Sequence, residues 1–208
     1  MISVAEALDK VFALCSPLDV ETVPLRHAHG RVLAENAVAK RDQPPFASSA
    51  MDGYGVLDLD VPVGAQFTVI GESAAGHGFD GTLTKGCAIR IFTGAPVPAG
   101  VTRVIIQEDV TREGDVITVT EPLSANTNIR PLGGDFRVGD QVTAPRRLSA
   151  QDVALLAAMN IPDVRVSRRP VVALIATGDE LVMPGETPGP SQIIASNSFG
   201  LAAMIEEA

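Results

Sequence analysis

The chain has 208 residues, 46% hydrophobic and only 4% aromatic, with 16 basic against 25 acidic residues for a formal charge of −9. That length admits more than one domain and a sizeable aliphatic core, while 19 Gly and 15 Pro favour strands and loops over a helix bundle. The acidic balance argues against nucleic-acid binding, two cysteines are too few for a disulfide framework, and no run reaches the ~18 apolar residues of a membrane span.

Residues 3–15 read as an amphipathic helix. Ser3 and Glu6 have capping-box spacing, and Val4, Leu8, Val11, Phe12 and Cys15 recur three or four apart on one face, with Pro17 as the stop. Residues 1–20 lack a basic segment followed by an apolar run, so no signal peptide is expected and a cytoplasmic location is the default. Short strands are expected at Val23-Pro24-Leu25 and Arg31-Val32-Leu33. From Pro44 onward, apolar runs at 67–70, 88–92, 103–107 and 116–120 alternate with Gly, Pro and Asp, and Glu113-Gly114-Asp115 is a hairpin signal. This spacing predicts a small β-barrel or sandwich over about 40–139. Gly139-Asp140-Gln141-Val142 reads as a returning strand. Ser149 with Asp152 caps a second helix whose apolar side carries Val153, Leu155, Leu156 and Met159, and a short strand follows at 164–166. The apolar run 171–177, between Pro170 and Gly178, reads as a fully buried parallel strand. Asn197 then caps a helix through Phe199, Leu201, Ala202, Met204 and Ile205, so the chain begins an α/β domain here. Cys15 and Cys87 read as small buried apolar residues rather than catalytic thiols.

Several loops carry groups capable of chemistry. PPFASSAMDGYG (44–55) brings hydroxyls, the Asp52 carboxylate and glycines into one stretch, either as a ligand loop or as an Asp-Gly turn entering a strand. IFTGAPVPAG (91–100) ends a strand in a Thr-Gly turn whose hydroxyl and free amides would suit an oxyanion; a stiff corner explains the same residues. Gln107-Glu108-Asp109 places two acids at a strand end, suited to a hard cation or simply solvated. IRPLGGD (129–135) sets Asp135 on a turn between Arg130 and Arg137, as a site or as a surface ion pair. In VALIATGDEL (172–181), Thr177, Asp179 and Glu180 follow an apolar run, where open α/β sheets bind ligands. Two acids at that place need water, a cation or a donor.

These five blocks, in this order and with Gly30-Arg31-Val32-Leu33-Ala34 upstream, resemble the signature segments of the molybdopterin molybdenumtransferases, the family of the bacterial MoeA enzymes and the gephyrin E domain. The resemblance spans nearly the whole chain. It implies an α+β multidomain fold in which the N-terminal helix (1–19) packs with an α/β domain. A β-barrel domain (40–139) is inserted in a small elongated α/β domain (20–39 and 140–169). The truncated start of a three-layer, molybdopterin-binding α/β domain (170–208) follows, with further family segments expected downstream. It implies insertion of molybdenum from molybdate into adenylylated molybdopterin with release of AMP. Mg2+ would serve as the cation, a homodimer would build each active site from both subunits, and the molybdopterin adenylyltransferase would be a partner. Carried over by position, Asp52, Thr93, Asp135 and Glu180 match residues the family implicates in activity. Ser49, Met51, Asp52, Gly53, Tyr54, Thr93, Gly94, Ala95, Thr177 and Gly178 are the expected cofactor-binding positions, and Asp179 and Glu180 the expected metal ligands. One departure is Ala47, where the family has a carboxylate. A dimerising or scaffold fragment without turnover is the alternative the same resemblance allows.

Overall fold

The computed structural model describes residues 2–207. It opens on helix α1 (Val4–Ala13), whose Ser3 hydroxyl accepts the Glu6 amide while Glu6 returns to the Ser3 amide. The strands that follow are β1 (Val20–Pro24), β2 (Val32–Leu33), β3 (Ala37–Val38), β4 (Ser48–Ser49), β5 (Gly53–Val56), β6 (Gln66–Ser73), β7 (Cys87–Ile91), β8 (Arg103–Ile106), β9 (Val110–Glu113), β10 (Val116–Val119), β11 (Ile129–Arg130), β12 (Gln141–Val142) and β13 (Arg146–Arg147). Helix α2 (Ala150–Ala158) and strand β14 (Asp163–Ser167) come next, then β15 (Leu181–Val182), β16 (Ile193–Ile194) and helix α3 (Asn197–Glu207). Contacts divide the chain into two units, one covering Val20–Val166 and the other the described residues on either side of it.

The 20–166 unit holds two packed regions. In the first, a four-stranded sheet in the order β1-β14-β2-β13 packs with α2. Leu33, Leu148, Leu156 and Val166 are essentially inaccessible in its core, and a Leu, Ile or Val buried this fully contributes ~1.5–3 kcal/mol relative to exposure. Helix α2 starts at Ser149 because the Ser149 hydroxyl accepts the Asp152 amide and the Asp152 carboxylate accepts the Ser149 amide. Arg146 adds an ion pair to the buried Asp152 at 2.7 Å. All of these hold the Asp152 carboxyl below its ordinary value, the Ser149 amide most, then its hydroxyl, then Arg146.

The second region is a six-stranded sheet in the order β8-β5-β7-β6-β10-β9, antiparallel except between β6 and β7. Its edges carry Ile105 and Val110, which belong to one cluster with Tyr54, Val56, Phe67 and Ile117. Edge strands that share a core require a curled sheet. Strands β6, β7, β8 and β10 fall on the apolar runs 67–70, 88–92, 103–107 and 116–120, whereas β5, inside the sheet, falls on none of the runs the sequence marked as strands.

The other unit differs from expectation. Residues 171–177 form no ladder among the described residues, and Val171 and Ile175 are 92% and 84% exposed. A strand apolar on both faces is stable only between neighbouring strands and under covering helices, and none pairs with it here. The unit's parallel pair lies later, Leu181 opposite Ile193 and Val182 opposite Ile194. Asn197 is the first residue of α3 rather than its cap, since the Phe199 and Gly200 amides return to Ser196. The apolar face of α1 is also uncovered in the described residues. Cys15, expected inside, is exposed, and Cys87 is half-buried. No helix among the described residues is long and apolar enough to cross a membrane.

Candidate active site

Strand register brings distant blocks together at one end of the curled sheet. β5 and β7 pair with Gly53 opposite Ile91 and Tyr54 opposite Arg90. Asp52, just before β5, therefore meets the residues just after β7. Its Oδ1 accepts the Thr93 amide at 2.7 Å and the Thr93 hydroxyl at 2.8 Å, across 41 positions of sequence. Gly53 is required for this approach, because an added Cβ would lie 2.0 Å from the Ile105 carbonyl oxygen on β8. The Gln107 amide closes the corner by donating to the Asp52 carbonyl at 3.0 Å.

The loop before Asp52 is woven into the same turn. The Ser49 amide donates to the Ala95 carbonyl, the Gly94 amide donates to the Ser49 carbonyl, and the Ser49 hydroxyl donates to the Met51 carbonyl at 2.6 Å. Gly94 sits at φ +80°, which this turn demands. β4 pairs with β11, setting Ser48 opposite Arg130, and Ser48 also bridges to Pro96. Beyond β11, the Gly133 amide donates to the Pro44 carbonyl and the Asp135 amide to the Gln43 carbonyl. Three of the motif blocks, 44–55, 91–100 and 129–135, thus form one cluster. Asp135 forms an ion pair with Arg130, both half-exposed, a pair of the kind that contributes under about 1 kcal/mol.

The free strand-end amides expected at Thr93-Gly94-Ala95 are not free. They donate to Asp52, to the Ser49 carbonyl and to the Phe92 carbonyl in turn. The reason is general: a strand end packed against a second loop gives its amides to that loop's oxygens rather than to solvent. Tyr54 and Ala95 are buried in the core, and Met51 is 41% exposed. The Thr93 amide and hydroxyl hold the Asp52 carboxyl below the ordinary carboxylate range, and the Arg90 guanidinium adds to this. The result is an ionised carboxylate whose Oδ1 is occupied and whose Oδ2 takes no hydrogen bond from the described residues. Such a group accepts from a ligand N–H or O–H, or faces a cation; its lowered proton affinity makes it a weak general base.

The remaining predicted residues lie in the other unit. Thr177, Gly178, Asp179 and Glu180 are all exposed, and the Glu180 carboxylate folds over Gly178, where an added Cβ would come within 2.5 Å of Oε2. Because 171–177 forms no ladder, the strand-end argument for these acids has no sheet to stand on here. No three His, Cys, Asp or Glu gather as a metal site among the described residues. Glu108, read as one of two cation-binding acids, instead accepts from Gln107 Nε2 at 3.2 Å in a short 3-10 turn. Sequence reasoning overlooked Arg90, which stacks on Tyr54 and Phe92 and bonds Gln107. The signal was available, a lone charge between Ile89 and Ile91 in an otherwise apolar strand.

A family model described as the MoeA N-terminal region (domain I and II) matches residues 2–160. Among curated relatives, the molybdopterin molybdenumtransferase of Nostoc sp. is 36% identical, covering 100% of this chain and 50% of the relative. The enzyme of the same name from Haemophilus influenzae is 35% identical, covering 100% and 52%. The crystal structure of the molybdopterin biosynthesis moeA protein from Pyrococcus horikoshii OT3 superposes with a TM-score of 0.87 at 37% identity, covering 100% of this chain and 57% of that one. The chain spans about half the length of the curated relatives it matches.

Proposed function

This chain belongs to the family of the MoeA N-terminal region, and from that premise we propose that it serves the insertion of molybdenum from molybdate into adenylylated molybdopterin, with release of AMP. The observation that carries the reading is the Asp52–Thr93 bond. It joins two family blocks 41 positions apart and leaves the second carboxylate oxygen without a hydrogen bond from the described residues. The substrate is polyanionic, so a carboxylate with lowered proton affinity would repel its phosphates. Asp52 is therefore assigned to the donors of the substrate, such as pterin N–H groups, or to a cation beside it, and Thr93 is assigned to holding Asp52 ionised and oriented.

Asp179 and Glu180 supply hard oxygen donors to Mg2+ in this reading. Two carboxylates are few, but Mg2+ is commonly held by one or two carboxylates with substrate phosphates and water completing the shell. Bound there, the cation would supply charge neutralisation at the phosphoanhydride. The family's homodimer and its contact with the molybdopterin adenylyltransferase, along with the inserted-barrel domain plan and a cytoplasmic location, belong to the same proposal. A second reading, a dimerising module without turnover, is favoured by the uncovered apolar residues Val4, Phe12 and Ile175.

Asp52→Asn tests the first reading. Asparagine keeps an Oδ1 that accepts from Thr93, removes the charge and replaces the second oxygen with an amide donor. In the longer protein, molybdate-dependent AMP release should be abolished while the melting temperature stays within a degree or so, as for a surface change of under ~0.5 kcal/mol. Parent-level release by the folded variant would overturn the enzymatic role of Asp52.

A further inference from the structure

Arg90 occupies an unusual place for a charged residue. It lies on β7 opposite Tyr54, between the buried Ile89 and Ile91. Its guanidinium carbon is 5.0 Å from the Tyr54 ring centroid and 4.7 Å from that of Phe92, so aromatic faces from two strand ends hold it. Cation–π contacts of this length restrain a guanidinium as well as attract it. Its edge is also committed, Nη1 donating to the Gly53 carbonyl at 3.2 Å and Nη2 to Gln107 Oε1 at 2.7 Å.

Each partner sits beside a member of the candidate site. Gly53 follows Asp52. Phe92 precedes Thr93. The Gln107 amide donates to the Asp52 carbonyl. One planar group therefore ties the ends of β5, β7 and β8 at the point where Asp52 must meet Thr93. We propose that Arg90 is the positioning residue of this site, a clamp that fixes the Gly53 carbonyl, Phe92 and Gln107 so that the Asp52 carboxylate receives both Thr93 bonds. It does so without touching substrate. The proposal rests on the reading of Asp52 given above. Lysine cannot replace it, since a single ammonium lacks the planar fork that reaches two acceptors while stacking on rings.

The fork explains what charge alone would not. Asp52 owes its low proton affinity first to the Thr93 amide, then to the Thr93 hydroxyl, with Arg90 a smaller contributor through charge. Loss of the clamp should act mainly by loosening the Thr93 bonds, and so a retained charge at position 90 should not rescue it.

The test uses the 208-residue chain in solution, with Arg90→Gln and Arg90→Lys. Carboxyl-carbon NMR follows the Asp52 titration, amide exchange follows Thr93, and the methyls of Leu33 and Leu156 in the other core report on the fold. In both variants the Asp52 midpoint should move up toward the ordinary carboxylate value. The Thr93 amide should exchange ~10-fold faster or more, the factor expected when a charge-assisted hydrogen bond is weakened. The Leu33 and Leu156 methyls should stay in place. Rescue of both readouts by lysine would overturn the clamp in favour of plain charge. An unchanged midpoint and unchanged Thr93 exchange in Arg90→Gln would overturn the proposal outright, even with Asp52→Asn inactive. Conversely, shifted readouts alongside a fully active Asp52→Asn would sustain the clamp and remove the functional reading beneath it.

Discussion

The 20–166 unit and the flanking unit are written in the same aliphatic vocabulary and end in opposite states. In the first, Leu33, Ile89, Ile117 and Leu156 are essentially inaccessible. In the second, Val4, Phe12, Val171 and Ile175 are 78%, 67%, 92% and 84% exposed, and Ala195 is the buried apolar residue among those described. Periodicity alone marks both sets as core candidates. The difference is that the first set finds partners within its own unit, sheet against helix and edge against edge, whereas the run 171–177 has no neighbouring strand to ladder with. Apolar patterning states a demand for burial, and only the rest of the fold meets it.

A matched pair of truncations read by urea unfolding tests the contrast between the two units most strongly. Leu156→Ala should cost ~2–5 kcal/mol, the range for a fully buried leucine whose removal leaves a cavity. Ile175→Ala should stay within ~0.5 kcal/mol. A loss for Ile175→Ala that approaches the Leu156 value, and grows with protein concentration, would mean that a second chain covers the segment and that the contrast is one of assembly.

Glycines give a smaller version of the same contrast. At Gly53 an added Cβ meets the Ile105 carbonyl of β8 at 2.0 Å, and a paired strand cannot retreat without breaking its ladder. Gly53→Ala should cost ~1–3 kcal/mol, as overpacking in a filled core does, and should loosen Asp52 next to it. At Gly200 in α3 an added Cβ meets nothing. There alanine should leave stability unchanged or raise it, because glycine in a helix interior costs ~0.5–1 kcal/mol relative to alanine. Equal thermal shifts for the two variants would refute the packing argument.

The smallest expected effect concerns the two helix caps. Ser3 with Glu6 and Ser149 with Asp152 form the same box, but only the second belongs to a packed helix. Ser149→Ala should lower stability by ~1 kcal/mol, a usual loss for a capping hydroxyl. Ser3→Ala should leave the global unfolding midpoint unmoved. The Asp152 carboxyl is held below its ordinary value in the folded chain. Its contribution is therefore complete above the unfolded value of ~3.9 and fades as pH falls through the lower folded value. The stability difference between the parent and Asp152→Asn should be constant near neutrality and shrink below about pH 4. A difference that persists undiminished in more acidic solution would show that the ionised carboxylate is not what the cap uses.

Local chemistry was the readable part of this protein. Ser3, Glu6, Ser149 and Asp152 announced both caps because a capping box is complete within four residues. Alternation and punctuation located β7, β8 and β10 because a strand's own residues carry its period. The motif blocks were equally visible as strings, and Asp52, Thr93 and Asp135 were singled out from them. Their partners were not. Nothing within 44–55 says that Oδ1 of Asp52 will be taken by Thr93, or that the Gly94 amide will be spent on Ser49, since those bonds exist only once β5 and β7 are in register. Arg90 stayed hidden for the same reason, its four partners being spread from Gly53 to Gln107.

Sequence patterning alone was therefore a short-range guide: the caps at Ser3 and Ser149, the positions of β6, β7, β8 and β10, and the identity of the groups available for chemistry. Each of those depends on residues a few positions apart, so a single stretch of chain contains all the information required. The tertiary structure decided which demands were met. It made the parallel β6–β7 pair, curled the sheet until Ile105 and Val110 shared a core, left 171–177 unladdered, and turned a supposed anion-binding turn into the holder of an ionised aspartate. The physical reason is that burial, ladder pairing and proton affinity are properties of a residue's neighbours in space, and for Asp52 those neighbours stand 41 positions away.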